Sequence, residues 1–140
     1  MKISKIIILI LFVFMNFAVS QNIITNGDFE DFINCPTGYS QIDTAIPGSY
    51  PTSFSILNNW TRMAGSSDYF NVCASATNVG IPANGFTQML SPVNGNGYAG
   101  IITHSINGQD FREYLVAELN APLVAEENYI LKLSIAPGGL

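Results

Sequence analysis

Tyr129-Ile130-Leu131-Lys132-Leu133-Ser134-Ile135 carries the clearest period in the chain. Tyr129, Leu131, Leu133 and Ile135 alternate with Lys132 and Ser134, the two-residue repeat of a strand with one face on a core. Upstream, Phe111 to Leu119 repeats the pattern. Leu115, Ala117 and Leu119 face one side, and Arg112, Tyr114, Val116 and Glu118 the other. Asn120 to Asn128 joins the two, with Pro122 and a polar Glu126-Glu127-Asn128 turn. Further upstream, short β-rich runs lie at Tyr98–Thr103, Tyr69–Cys73, Phe54–Trp60 and Asn22–Thr25, the last closed by the turn pair Asn26-Gly27. Phe29 and Phe32 follow as core anchors. Pro36, Pro47 and Pro51 mark Asn34–Ser53 as loop, and glycine and proline do the same for Asn78–Gly97. No helical period lasts a dozen residues. The reading is all-β, a sandwich or barrel.

Six strands at most fall short of the roughly seven or eight in a closed sandwich. Either the sheet has an exposed edge or the sandwich is incomplete at its C-terminus, and the second is expected.

The N-terminus reads as a secretion signal over residues 1–20. Lys2 and Lys5 make a positive start, Ile6 to Phe14 an apolar stretch, and Ala18-Val19-Ser20 a small-residue cleavage site. The apolar stretch is shorter than the ~20 residues of a bilayer span. An uncleaved anchor is the alternative. Cleavage leaves residues 21–140 as one exported domain with no membrane span.

Without the leader, Arg62, Arg112 and Lys132 face ten acidic residues, a net charge of −7. Such a surface repels phosphate backbones, which argues against nucleic acid as a partner. Cys35 and Cys73 are the only cysteines, and an even pair in an exported chain reads first as a disulfide. A metal pair or a reactive thiol are the lesser alternatives.

Several motifs occur in order: Asn26-Gly27-Asp28-Phe29-Glu30, Cys35-Pro36-Thr37-Gly38, Asn59-Trp60, Asp68-Tyr69-Phe70-Asn71-Val72-Cys73, Val79-Gly80-Ile81-Pro82-Ala83-Asn84, Gly95-Asn96-Gly97-Tyr98-Ala99-Gly100-Ile101 and Arg112-Glu113-Tyr114-Leu115. This series resembles the N-terminal galactose-binding-like (jelly-roll) domain of Bacteroidetes secreted and outer-membrane proteins. There the domain often precedes an OmpA-type peptidoglycan-binding region, or repeats ending in a type IX secretion or gliding-motility sorting domain. The resemblance covers the whole mature chain. It implies a jelly-roll β-sandwich located at the cell surface, in the outer membrane or outside the cell. Family members continue past the last strand into further strands and a C-terminal region, so tethering and sorting are not carried over.

The resemblance also implies a structural calcium near the opening segment, with Asp28 and Glu30 as candidate ligands. Turn capping and solvated charge are the plainer reading of that acidic cluster. Among aromatic and amide side chains, Trp60, Tyr69, Asn71 and Tyr98 are the candidate glycan contacts, with Asn59 and Gln88 beside them. Sugar C–H faces stack on aromatic rings, although a lone Trp in a small domain usually packs into the core.

Catalysis finds little support. Glycoside hydrolysis needs two carboxyls across a cleft, and Asp28, Glu30 and Asp31 crowd one strand end. His104, Ser105 and Asp110 share one loop, and no Gly-x-Ser-x-Gly elbow is present. One histidine cannot anchor a zinc site. The expected function is a non-catalytic envelope or surface module that binds glycan or an envelope protein. A purely structural spacer is the alternative.

Overall fold

A computed structural model describes residues 22–43, 55–104 and 110–138; the expected leader, the loop prolines Pro47 and Pro51, Phe54 at the start of an expected strand, and Ser105 lie outside these. The described secondary structure is strand, without helix. None of it is a helix long and apolar enough to cross a membrane.

Strand β1 (Trp60–Ala64) pairs antiparallel with β4 (Tyr114–Ala117), and β2 (Asp68–Asn71) pairs antiparallel with β3 (Gly97–Gly100). Each sheet has two strands. Alternation in β4 follows the sequence: Leu115 and Ala117 are half-buried, Tyr114 and Val116 exposed. The β2–β3 ladder is covered on both sides, so all four β2 residues are buried.

Ile42, Leu57 and Tyr69 form the buried core, with Phe29, Phe32, Ile56, Trp60, Ala99 and Leu115 packed against it. Phe29 and Phe32 thus anchor the core as the sequence implied. Trp60 is half-buried, packs on Phe29 at 4.9 Å between ring centroids, and donates its indole N–H to the Asn26 carbonyl at 2.7 Å. That geometry satisfies the polar edge of a packed indole.

Asn26 organises the opening motif. It sits at φ 55°, donates to the carbonyls of Asp31 and Asn58, and accepts the Asp31 N–H. Asparagine tolerates this left-handed backbone because its short amide bonds locally. The acidic opening segment is therefore a turn folded against the start of β1.

A seam of polar side chains joins the two sheets. Glu113, just before β4, is 3% exposed. One of its oxygens accepts from the Ser66 N–H and hydroxyl at 2.9 and 2.6 Å, and the other from the Ile102 N–H at 2.8 Å. Gly65 permits this approach: it has φ +85°, and a Cβ there would lie 2.5 Å from Glu113 Cγ. Arg62 pairs with Asp43 at 2.9 Å and donates to the Gly65 carbonyl.

Asp68 is buried beside this seam and accepts the Ser40 N–H at 2.6 Å. Burial lifts its pKa to about 6, the Ser40 N–H opposes the rise, and the Glu113 charge adds to it. The folded form thus holds a proton that the unfolded chain has lost between the ordinary carboxyl range and pH 6. Stability from this group is full at the acidic end of that window and is lost as pH rises through 6. Lowering pH from 7.5 to 5 should raise stability by about 1 kcal/mol after solvent screening. Urea melts at the two pH values check this, and Asp68→Asn should flatten the dependence. Melts that weaken steadily from pH 7.5 to 5 would rule the assignment out.

The strand expected over Tyr129–Ile135 does not form. Residues 121–138 are exposed throughout, with Ile130 at 85% and Ile135 at 91%. Alternation supplies one apolar side, but a strand also needs a neighbouring edge and a layer to cover it. Neither meets this segment among the described residues. Two further expectations shrink for the same reason. Asn22–Thr25 contributes one bridge, Ile24 to Leu119, and the Phe54–Trp60 run contributes one, Leu57 to Phe32, before β1 begins at Trp60. The fold is all-β, and its two small sheets are less than a complete sandwich.

Candidate functional site

The β2–β3 ladder is the platform for an open part of the surface. Phe70 and Tyr98 face each other across it and stack at 5.1 Å with a 26° angle between rings. Phe86 meets Phe70 edge-on at 6.1 Å, and Tyr39 meets Phe86 at 5.3 Å and 63°. The row climbs out of the core: Tyr39 is 42% and Phe86 37% exposed. The Tyr39 hydroxyl lies against Gly85, where a Cβ would leave it no room. Two angled rings thus form a ledge.

Beside the ledge is an open hollow of about 610 Å³ along residues 74–85, with Ser75, Thr77, Asn78 and Asn84 as its polar side chains. Its shape is held from three sides. Cys35 and Cys73 form a disulfide with 5.7 Å between Cα atoms, an ordinary span for such a bridge. It ties the segment leading to Tyr39 to the end of β2. Asn71 takes the second side: its N–H donates to the Val79 carbonyl and its side-chain oxygen accepts the Cys73 N–H. Asn84 takes the third, donating to Tyr98 Oη at 2.7 Å and accepting the N–H groups of Phe86 and Thr87.

The disulfide is the sequence expectation met directly, and it suits an oxidising, extracytoplasmic environment. The candidate contacts lie at different depths. Tyr69 and Asn71 are buried in the core, where Asn71 donates to Tyr69 Oη and that hydroxyl donates to the Phe29 carbonyl at 2.8 Å. Burial pushes the Tyr69 hydroxyl up to about 12, against the Asn71 bond and aided by the Glu30 and Asp28 charges, so it remains a donor. Trp60 belongs to the packing around Phe29, on the other sheet. Tyr98 is half-buried under the ledge. Asn59 spends its amide on the Thr25 and Glu118 carbonyls, whereas Gln88 is exposed close to Phe86 in the chain.

Tyr39 and Phe86 were not singled out by sequence reading. Both fall in loops where no periodicity ranks one aromatic above another. The available signal was Gly85 before Phe86, a residue that lets another group approach closely.

Glu30 reaches across to the turn before β3. It accepts the Asn96 N–H at 2.5 Å, the Gly97 N–H at 2.9 Å and the Asn96 side-chain amide at 3.0 Å. Burial alone would raise its pKa, but these three donors outweigh it and hold the carboxyl below its ordinary range. Both oxygens serve N–H donors, so Glu30 fits a clamp on the turn better than calcium's shell of six to eight oxygens. Asp28 is exposed nearby, and no group of three or more metal-binding side chains occurs among the described residues. Asp110 pairs with Arg112 at 2.8 Å and His104 is exposed.

No family model matches the chain, and no curated protein or solved structure matches it significantly.

Proposed function

We propose that this chain is a non-catalytic extracytoplasmic module, built as part of a galactose-binding-like jelly-roll sandwich, that binds cell-surface glycan on the Tyr39–Phe86 ledge. One observation carries the reading: two part-exposed aromatic rings at 63° beside an open hollow edged by amides and hydroxyls. An angled ring pair offers apolar faces to the C–H surface of a pyranose, and nearby amides and hydroxyls fix its orientation. The base is stiff, because the disulfide, Asn71 and Asn84 each pin one side. Recognition depends on neutral groups, which suits uncharged sugars on an acidic protein. The resemblance to Bacteroidetes surface proteins supports placement at the envelope, and the disulfide agrees with it.

Isothermal titration of the purified chain with neutral oligosaccharides selected on a glycan array tests the proposal. Tyr39→Ala and Phe86→Ala should each weaken binding by about tenfold or more, the effect of one lost stacking contact. Asp110→Asn should leave it unchanged. A blank array, or binding indifferent to both ring deletions, would favour a structural spacer.

A further inference from the structure

Side chains alternate along β2, and Tyr69 with its neighbour Ala99 faces the core. Asp68 and Phe70 therefore share the opposite face, and each supports one half of the ledge. Phe70 meets Phe86 edge-on. Asp68 reaches the other ring through the chain: its Oδ1 accepts the N–H of Ser40, the residue after Tyr39, at 2.6 Å.

The loop around Tyr39 depends on that bond. Its base is fixed by Gln41, whose side-chain oxygen accepts the N–H groups of Thr37 and Gly38 and whose amide donates to the Thr37 hydroxyl. The Gln41 carbonyl accepts the Ile56 N–H, and Ile42 donates to the Ser67 carbonyl. None of these bonds reaches Tyr39 or Ser40. Ser40 sits at φ 61°, a left-handed backbone that serine holds only with outside support. Among the described residues, the Asp68 carboxylate supplies it.

We propose that the ionised Asp68 carboxylate positions Tyr39 on the ledge through Ser40, so that binding weakens when Asp68 takes up a proton; the binding half of this rests on the glycan reading above, and the positioning half does not. A charged acceptor makes a markedly stronger hydrogen bond than a neutral one, so the seated loop and the ionised carboxylate favour each other. Of the charged groups around Asp68, Glu113 before β4 repels the ionised form, and the Arg62 guanidinium on β1 is committed to Asp43 and the Gly65 carbonyl. Residues 37–41 and β3 carry no charged side chain. With Asp68 lifted to about 6, the carboxylate prevails at pH 7.5 and the acid at pH 5. Acid thus slackens the ledge while it stabilises the fold as a whole.

NMR of the full chain from pH 7.5 to 5 reads the contact directly, as the nuclear Overhauser effect between the Tyr39 ring and the Gly85 Hα. It should fade with the midpoint of the Asp68 carboxyl signal, and affinity for neutral oligosaccharide should fall about fivefold over the same range. In Asp68→Asn the acceptor is neutral at every pH, so contact and affinity should stay at the acid level throughout. A wild-type contact that is constant across the range overturns the proposal without recourse to any variant. So does a contact that still fades in Asp68→Asn, or a ring that moves with no change in affinity. If the contact follows Asp68 while no glycan binds at either pH, the positioning role stands and the glycan reading alone falls.

Discussion

Replacing Cys35 and Cys73 together by serine lowers stability by about 3–4 kcal/mol, the largest single loss expected in this molecule. The bridge closes a sequence separation of 38 residues, and loop entropy of that size is restored to the unfolded chain when it opens. The expectation gains weight from the core among the described residues, where Ile42, Leu57 and Tyr69 form the buried apolar cluster and Phe70 and Val79 are buried besides. A domain with so little apolar burial depends on a covalent tie more than one with a thick core. Urea unfolding of the double variant, beside wild type with and without reductant, measures the effect. A midpoint shift worth less than about 1 kcal/mol would show that the bridge adds little to this fold. The loss should reach the ledge as well. Cys35 leads into the segment carrying Tyr39 and Cys73 into the hollow, so reduction should weaken the proposed glycan binding even in the fraction that stays folded.

Glu113→Ala is the second large effect, at about 3 kcal/mol. Its carboxylate receives three donors from two segments, Ser66 before β2 and Ile102 after β3, while its own backbone leads into β4. Truncation strands the Ser66 and Ile102 N–H groups where water reaches them poorly, and it unties a polar junction between the sheets. Glu113→Gln should cost less, because one oxygen still accepts while the amide nitrogen confronts a donor. The glutamine variant also removes the charge that helps raise Asp68, so the Asp68 titration should move to lower pH. Urea melts across pH on both variants, with the carboxyl signal of Asp68 followed by NMR, separate the packing loss from the electrostatic shift. An alanine variant as stable as wild type would mean that solvent replaces all three bonds without penalty.

The candidate site was legible in part. The cysteine pair was readable because an expected export and an even count point two residues to one bond, whatever the surrounding fold. The aromatics were readable only as a set. Tyr69, Asn71 and Tyr98 lie in or beside a short strand, but chain position does not say which side chains face outward when both faces of a ladder are covered. The residues that reach solvent, Tyr39 and Phe86, come from two distant loops that the disulfide and Asn84 bring together. Glu30 was visible as an acid near a turn. Its partners Asn96 and Gly97 are far along the chain, and sequence offered nothing to join them.

By itself, the sequence determined what depends on local chemistry: an all-β chain broken by glycine, proline and asparagine, a paired cysteine couple, and the inward and outward rows of β4. Each is a property of neighbouring residues, and the local rules of backbone and burial suffice for it. Tertiary structure alone decided which apolar periods become strands. Phe111–Leu119 and Tyr129–Ile135 carry the same alternation, yet among the described residues only the first meets a partner strand, in β1, and only its inner row is covered. A strand's backbone hydrogen bonds lie between segments, so a period of two announces readiness to pair and leaves the partner to the fold.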